Sequence, residues 1–170
     1  LEGRLLSTKT ARDMYREYLT AVPSPENAVL DGQDPPTVFT DPAALASLPS
    51  FTEQMMYIDA VTYLPDDVLA KVDRASMAVS LEARVPLLDH RVMEFAWTLP
   101  LSYKIRSGQG KWILRQVLFR YVPSRLLDRP KKGFAVPLGA WIRGPLRGCA
   151  EDQLDERRLR ADGYFDPAAV

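Results

Sequence analysis

A mainly α-helical chain is what this sequence predicts, on three observations. Prolines stand at the ends of apolar-periodic segments, so the chain reads as helices joined by proline-bounded connections. No segment shows the convincing apolar–polar alternation of a half-buried strand. The composition, 46% hydrophobic and 26% charged over 170 residues, is that of an ordinary globular domain or part of a larger one.

The elements follow in order. Residues 4–21 place Leu5, Leu6, Met14, Tyr15 and Tyr18 at helical spacing and stop before Pro23. Residues 22–40 hold Pro23, Pro25, Gly32, Pro35 and Pro36 and read as an irregular connection. Asp41 and Pro42 form an N-cap and a first-turn proline for a short helix over 42–48. A helix over 51–62 should end at Leu64-Pro65, because proline pushes its predecessor out of the helical region. Asp66 then caps a helix over 67–79 with a core face of Val68, Leu69, Val72, Ala75, Ser76 and Val79. After a break over 82–86, Asp89 caps a helix running to residue 99. Residues 111–121 form another amphipathic helix, closed by Val122-Pro123. Shorter helices over 138–143 and 146–153 flank Gly144-Pro145.

Charge and cysteine content narrow the function classes. With 22 basic and 22 acidic residues the net charge is zero, which argues against a protein that coats nucleic acid. The single Cys149 excludes an intrachain disulfide and a cysteine-rich metal site, and His90, the only histidine, excludes a multi-histidine one. No apolar run approaches the roughly 20 residues of a membrane span. A reducing, cytoplasmic location and a chain without nucleic-acid or membrane partners are the expectation. The balance is uneven, however: Lys104, Arg106, Lys111, Arg115, Arg120, Arg125, Arg129, Lys131 and Lys132 face only Asp128 between residues 101 and 135. That excess reads either as an anion-attracting patch or as a solvated basic face.

The stretch from Tyr57 to Pro100 carries the chemistry. Lys71, Asp73, Arg74, Glu82, Arg84, Asp89 and His90 lie among aliphatic neighbours, where charge is costly unless paired or used on a ligand. Asp73 and Arg74 sit beside Ala75 and Ser76, small residues that let a ligand approach. An ion-pair network with Glu82 or Arg84 is the plainer alternative. Glu82 and Arg84 flank a turn extended by Pro86 and are expected to form an interior salt bridge. In Arg129-Pro130-Lys131-Lys132-Gly133-Phe134, proline restricts the loop, glycine lets the backbone bend close to a ligand, and two lysines make an anion clamp; a solvated loop is the alternative. Cys149 reads as a packing residue and His90 as a partly buried helix residue, neither as a catalytic group.

Four blocks in order, YLPDDVLAKVDRASM at 63–77, SLEARVPLLDHRVMEFA at 80–96, KWILRQVLFRYVP at 111–123 and RPKKGFAVPLGAWIRGPLR at 129–147, are similar to the C-terminal part of the synthetase domain of glutamine-hydrolysing asparagine synthetases. The resemblance implies the helical C-terminal portion, over residues 1–170, of an α/β synthetase domain of the adenine-nucleotide α-hydrolase-like kind, a PP-loop ATP pyrophosphatase. It also implies adenylation of the aspartate side chain with ATP and Mg²⁺, followed by attack of glutamine-derived ammonia to give asparagine, AMP and pyrophosphate. Catalytic roles then fall to Lys131, over the nucleotide phosphates, and to Asp73. Arg74 and Lys132 bind substrate or ATP, while Glu82, Arg84, Arg129 and Gly133 support the site. No metal ligand is expected in this chain.

The sequence departs from the family pattern. The glutaminase cysteine, an SGGxDS-like phosphate loop and an SGEGxDE-like acidic segment are all absent from it. The expectation is a portion that is inactive alone and works with an N-terminal glutaminase domain of the same polypeptide; a homodimer stays open. Rival readings are a related β-lactam- or amide-forming synthetase, and a helical anion-binding module. The lack of regularly spaced stacking aromatics weighs against nucleic acid for the latter.

Overall fold

A computed structural model describes residues 7–20, 25–33, 35–41, 43, 45, 47–127 and 136–169. Most of these residues are helical, as expected. The chain divides into two units, Leu1–Met55 with Gly133–Val170, and Met56–Lys132.

In the first unit, α1 spans Ala11–Leu19. It starts later than the periodicity suggested, because Thr10 is the true cap. Its hydroxyl accepts from the Asp13 amide at 3.0 Å, closing the T-x-x-D motif over the exposed N–H groups. A short α2, Pro25–Ala28, falls inside the region read as irregular. Asp41 accepts from the Ala43 amide at 2.9 Å, the geometry of the expected cap; most of the helix expected over 42–48 lies outside the described residues. Leu45 there is fully buried. The later part of the unit holds α8 (Leu138–Arg143), α9 (Arg147–Gln153) and α10 (Glu156–Asp162). The sequence reading omitted α10, although Asp155 caps it through the amides of Arg157 and Arg158 and Gly163 closes it. An antiparallel bridge, Val29 to Phe165, joins the two ends of the unit, with Leu30 N–H to Tyr164 C=O at 2.9 Å beside it.

Helix α3, Phe51–Val61, lies across the division between units. The helical path does not break at Pro65 as expected. Residues Leu64–Leu69 wind as a π-helix and lead directly into α4, Ala70–Met77. Proline in the first turn forfeits an N–H that has no obligatory partner there, so the segment tolerates it. Asp66 is therefore not an N-cap; its amide bonds the Thr62 carbonyl at 3.0 Å. The π segment and the early stop at Met77 also revise the predicted core face. Val68, Leu69, Val72 and Ser76 are half-buried, but Ala75 and Val79 are exposed.

Beyond α4 follow a 3₁₀ turn at Pro86–Leu88, α5 (His90–Thr98) and a short α6 (Leu101–Lys104). Asp89 caps α5 as expected, taking the Arg91 amide at 2.9 Å. Two short strands form although no segment was read as alternating. β1 (Ile105–Arg106) and β2 (Gln109–Gly110) pair antiparallel, with Ile105 opposite Gly110 and Arg106 opposite Gln109. Ser107 and Gly108, at φ 51° and 75°, form the two-residue left-handed turn that suits a tight hairpin. Lys111, also left-handed at φ 56°, delays α7 to Trp112–Leu118, shorter than the predicted 111–121. Tyr57 meets Trp97 edge-on at 6.4 Å and Tyr103 meets Trp112 at 6.0 Å, so aromatic pairs tie α3 to α5 and α6 to α7. Ile58 is the buried aliphatic residue of this unit among the described residues.

Candidate functional site

Helix α4 brings Lys71, Asp73 and Arg74 onto one short element. Lys71 is bound to Asp67 one turn earlier, the ordinary i,i+4 ion pair. Asp73 and Arg74 are exposed, and neither side chain has a hydrogen bond or ion pair among the described residues. The expected alternative, a network with Glu82 or Arg84, is not formed. Ser76 Oγ donates to the Asp73 carbonyl at 3.1 Å, which anchors the hydroxyl to the helix and leaves the Asp73 carboxylate alone.

The end of α4 is closed by two bonds. Leu81 N–H reaches the Ser76 carbonyl and Ser80 N–H the Met77 carbonyl, each at 3.0 Å, with Ser80 left-handed at φ 59°. This is the paired closure usually built on glycine. From it departs the arm carrying Glu82 and Arg84. Their salt bridge forms at 2.8 Å, as expected, but not in an interior: the side chains are 66% and 80% exposed. In water such a pair contributes about 0–1 kcal/mol, and breaking it leaves no buried unpaired charge, the event that costs about 3–5 kcal/mol in an interior.

Asp89 ends the following turn. It accepts from the Arg91 amide and, through both oxygens, from the Arg91 guanidinium, every distance being 2.9 Å. The guanidinium first, and the amide second, hold its carboxyl below the usual carboxylate range. The sequence reading found the cap and missed the clamp; an arginine two residues after a capping aspartate was the available signal. His90 is exposed, with Nδ1 3.9 Å from Asp89, which corrects the partly buried placement. Cys149 is likewise exposed rather than packed.

The basic stretch is not one open patch. Lys104 Nζ stands 4.9 Å over the Trp97 ring and the Arg106 guanidinium 4.8 Å over Trp112, pairings that use the ring faces. Arg120 and Arg125 remain exposed. Arg129, Lys131, Lys132 and Gly133 lie outside the described residues. The structure thus places Asp73 and Arg74 at adjacent positions of α4 and pairs Glu82 with Arg84 on the arm. Among the described residues no three His, Cys, Asp or Glu side chains come together as a metal site, and no helix is long and apolar enough to cross a membrane.

Helix α4 thus carries a carboxylate and a guanidinium that are exposed and without a partner among the described residues, and the segment after it carries the Glu82–Arg84 pair. The chain belongs to the asparagine synthase family, whose pattern it matches over residues 3–170. Asparagine synthetase [glutamine-hydrolyzing] 1 of Bacillus subtilis is 33% identical over 125 residues, covering 74% of this chain and 19% of that protein. A Mycobacterium tuberculosis protein provisionally named a glutamine-hydrolysing asparagine synthetase is 46% identical over 90 residues, 53% of this chain and 14% of its own length. An amidase of Gibberella zeae is 28% identical over 125 residues, 69% of this chain and 18% of its own length. The chain therefore spans about a fifth or less of the relatives it matches. No solved structure matches it.

Proposed function

We propose that this chain is the helical C-terminal portion of a PP-loop-type synthetase domain, with an α/β adenine-nucleotide α-hydrolase-like fold, in a glutamine-hydrolysing asparagine synthetase. In this reading the side-chain carboxylate of aspartate attacks the α-phosphorus of ATP and pyrophosphate leaves. Ammonia released from glutamine by an N-terminal domain then attacks the acyl carbon, and AMP departs as asparagine forms. The sequence of steps is physically sensible, since a free carboxylate is a poor acceptor and adenylation supplies the leaving group.

Asp73 orients the reacting groups, and Arg74 and Lys132 hold anionic portions of aspartate or ATP. Lys131 stands by the charge that develops on the nucleotide phosphates; a preorganised donor of that kind is worth about 10²–10³ in kcat. Glu82, Arg84, Arg129 and Gly133 hold the walls in place. The observation that carries this reading is that Asp73 and Arg74, alone among the charges of α4, are exposed and without partner among the described residues. Magnesium is usually held by one or two carboxylates together with substrate phosphates. Among the described residues no three candidate ligands come together, and no step is assigned to the metal.

The test is kinetic and uses the full-length protein. Asp73→Asn and Lys131→Ala should each lower asparagine formation by about 10²-fold or more while glutamine hydrolysis stays near wild type. Equal loss of both activities would mark a structural role and sink the assignment. The 170-residue chain alone should show no ATP–pyrophosphate exchange. A second reading is a related amide-forming synthetase with another acceptor, on the same scaffold. Turnover of the full-length enzyme with a different carboxylate, and none with aspartate, would establish it.

A further inference from the structure

Resting on the reading above, in which this chain is one portion of a synthetase, we propose that the outer side of α7 is a docking surface for the rest of that polypeptide, which meets it with an acid-rimmed apolar groove. Between Trp112 and Phe119 the only polar side chains are Arg115 and Gln116. A helix apolar nearly all round belongs in an interior, because packing on one side cannot cover it. Here α7 is covered on one side. Trp112 and Phe119 are half-buried, and Trp112 meets Tyr103 edge-on while the Arg106 guanidinium lies over its ring. Away from these two stand Leu114, Val117, Leu118 and Tyr121, which are 44%, 51%, 40% and 80% exposed.

Their spacing, i, i+3, i+4 and i+7, sets the four on one stripe. The winding continues past Leu118 to complete it, since Tyr121 N–H bonds the Leu118 carbonyl at 2.9 Å. Apolar side chains exposed singly are ordinary on a surface, whereas a contiguous group of them marks an interaction site. The unit around α7 buries Ile58 alone among its described aliphatic residues, so such cover adds to a small core. Charge decides what the cover is. Residues 101–127 hold Lys104, Arg106, Lys111, Arg115, Arg120 and Arg125 and no acid. Arg120, three residues after Val117, is exposed at the edge of the stripe, and Lys111 and Arg125, before and after the helix, are exposed as well. A second copy laid on α7 would set these cations against their equivalents, because a two-fold interface presents the same patch on both sides. An acid-rimmed groove matches both the apolar stripe and the charge. In the synthetase reading most of the polypeptide lies outside this chain, and tethering favours a groove in the same molecule over a separate partner.

The experiment uses the full-length protein in lipid-free buffer. Val117→Cys, a substitution that nearly keeps the size, is labelled with a maleimide, and its peptide is followed by mass spectrometry. With the stripe covered, labelling of the native protein is about 10²-fold slower than in denaturant, at every protein concentration. Arg120→Glu in the same variant should speed labelling several-fold, and Arg120→Lys should not. A photo-reactive benzophenone amino acid in place of Tyr121 then identifies the cover: irradiation should join it, within one molecule, to a segment outside these 170 residues. Labelling as fast as in denaturant, protection lost on dilution, or a cross-link to a second copy overturns the proposal. Equal labelling of the Arg120→Glu and Arg120→Lys variants overturns the acidic rim. None of these readouts requires turnover, so the Asp73 and Lys131 variants decide the asparagine synthetase reading independently.

Discussion

Helix α4 and the pair α9–α10 are both dense in charge and use it in opposite ways. In the C-terminal helices charges are neutralised close by: Arg147 bonds Glu151 at 2.7 Å, Arg160 bonds Glu156 at 2.6 Å, and Arg158 reaches Asp152 at 3.0 Å. The first two pairs are four residues apart, so they meet on one face of the helix. Helix α4 follows the same rule with Asp67 and Lys71, then abandons it. Asp73 and Arg74 are adjacent in sequence, point apart, and have no local carboxylate or cation to meet. Charge density therefore does not distinguish a site from a solvated face, and the lack of a local partner is shared by Arg157 of α10, which is exposed and without a side-chain partner among the described residues.

The sharpest way to break the comparison is to remove one carboxylate from each region of the full-length protein. Asp73→Asn should cost about 10²-fold in asparagine formation, whereas Asp152→Asn, on an exposed pair worth about 0–1 kcal/mol, should leave the rate unchanged. Steady-state kinetics on both variants decide it. Similar rates for the two would erase the distinction drawn between the helices.

What was legible in the sequence follows the same division between local and non-local causes. Caps at Asp41 and Asp89, the helical content and the position of α5 were readable because each depends on a few neighbouring residues. The start of α1 was missed because apolar spacing was weighed above the Thr10 cap. The hairpin of two-residue strands is too short for alternation to register; the Ser107-Gly108 dipeptide was its real signal. Proline at 65 misled because a π-helix can start on it. Contrary to the reading that no segment alternates, Val79, Leu81, Ala83, Val85 and Leu87 alternate with polar residues or proline, yet no strand forms there among the described residues. The candidate site is a reading of residue types, Asp73, Arg74, Glu82 and Arg84, and of their place among apolar neighbours. Whether Glu82 and Arg84 met inside or outside was not legible, because burial depends on what other segments cover.

A smaller contrast lies in how the two regions end their helices. Helix α10 closes on Gly163 at φ 70°, where glycine is at home; the closure after α4 places Ser80 at φ 59°, where a side chain is strained. Ser80→Gly should therefore stabilise the protein by about 0.5–1 kcal/mol, and Gly163→Ala should destabilise it by about 1 kcal/mol. Chemical denaturation of the full-length protein measures both. Changes of the same sign would show that the left-handed positions do not govern these closures.

The finest distinction concerns the two capping aspartates. Asp155 caps α10 with amides alone, whereas Asp89 caps α5 and also grips a guanidinium. Because the Arg91 guanidinium holds the Asp89 carboxyl below its unfolded value of about 3.9, folding is favoured by the ionised form. That contribution is fully present above the unfolded value and disappears as pH falls through the lower, folded one. The site is exposed, so the effect is modest and weakens with added salt. Asp89→Asn keeps a capping oxygen and removes the titrating charge. Its Tm should lie below that of the wild type near neutral pH, and the gap should close in acid. Measuring Tm for both proteins from neutral to acidic pH, at low and high salt, gives the answer. A gap that persisted unchanged into acid would mean the pairing with Arg91 contributes nothing beyond the cap, and Asp89 would then differ from Asp155 in geometry alone.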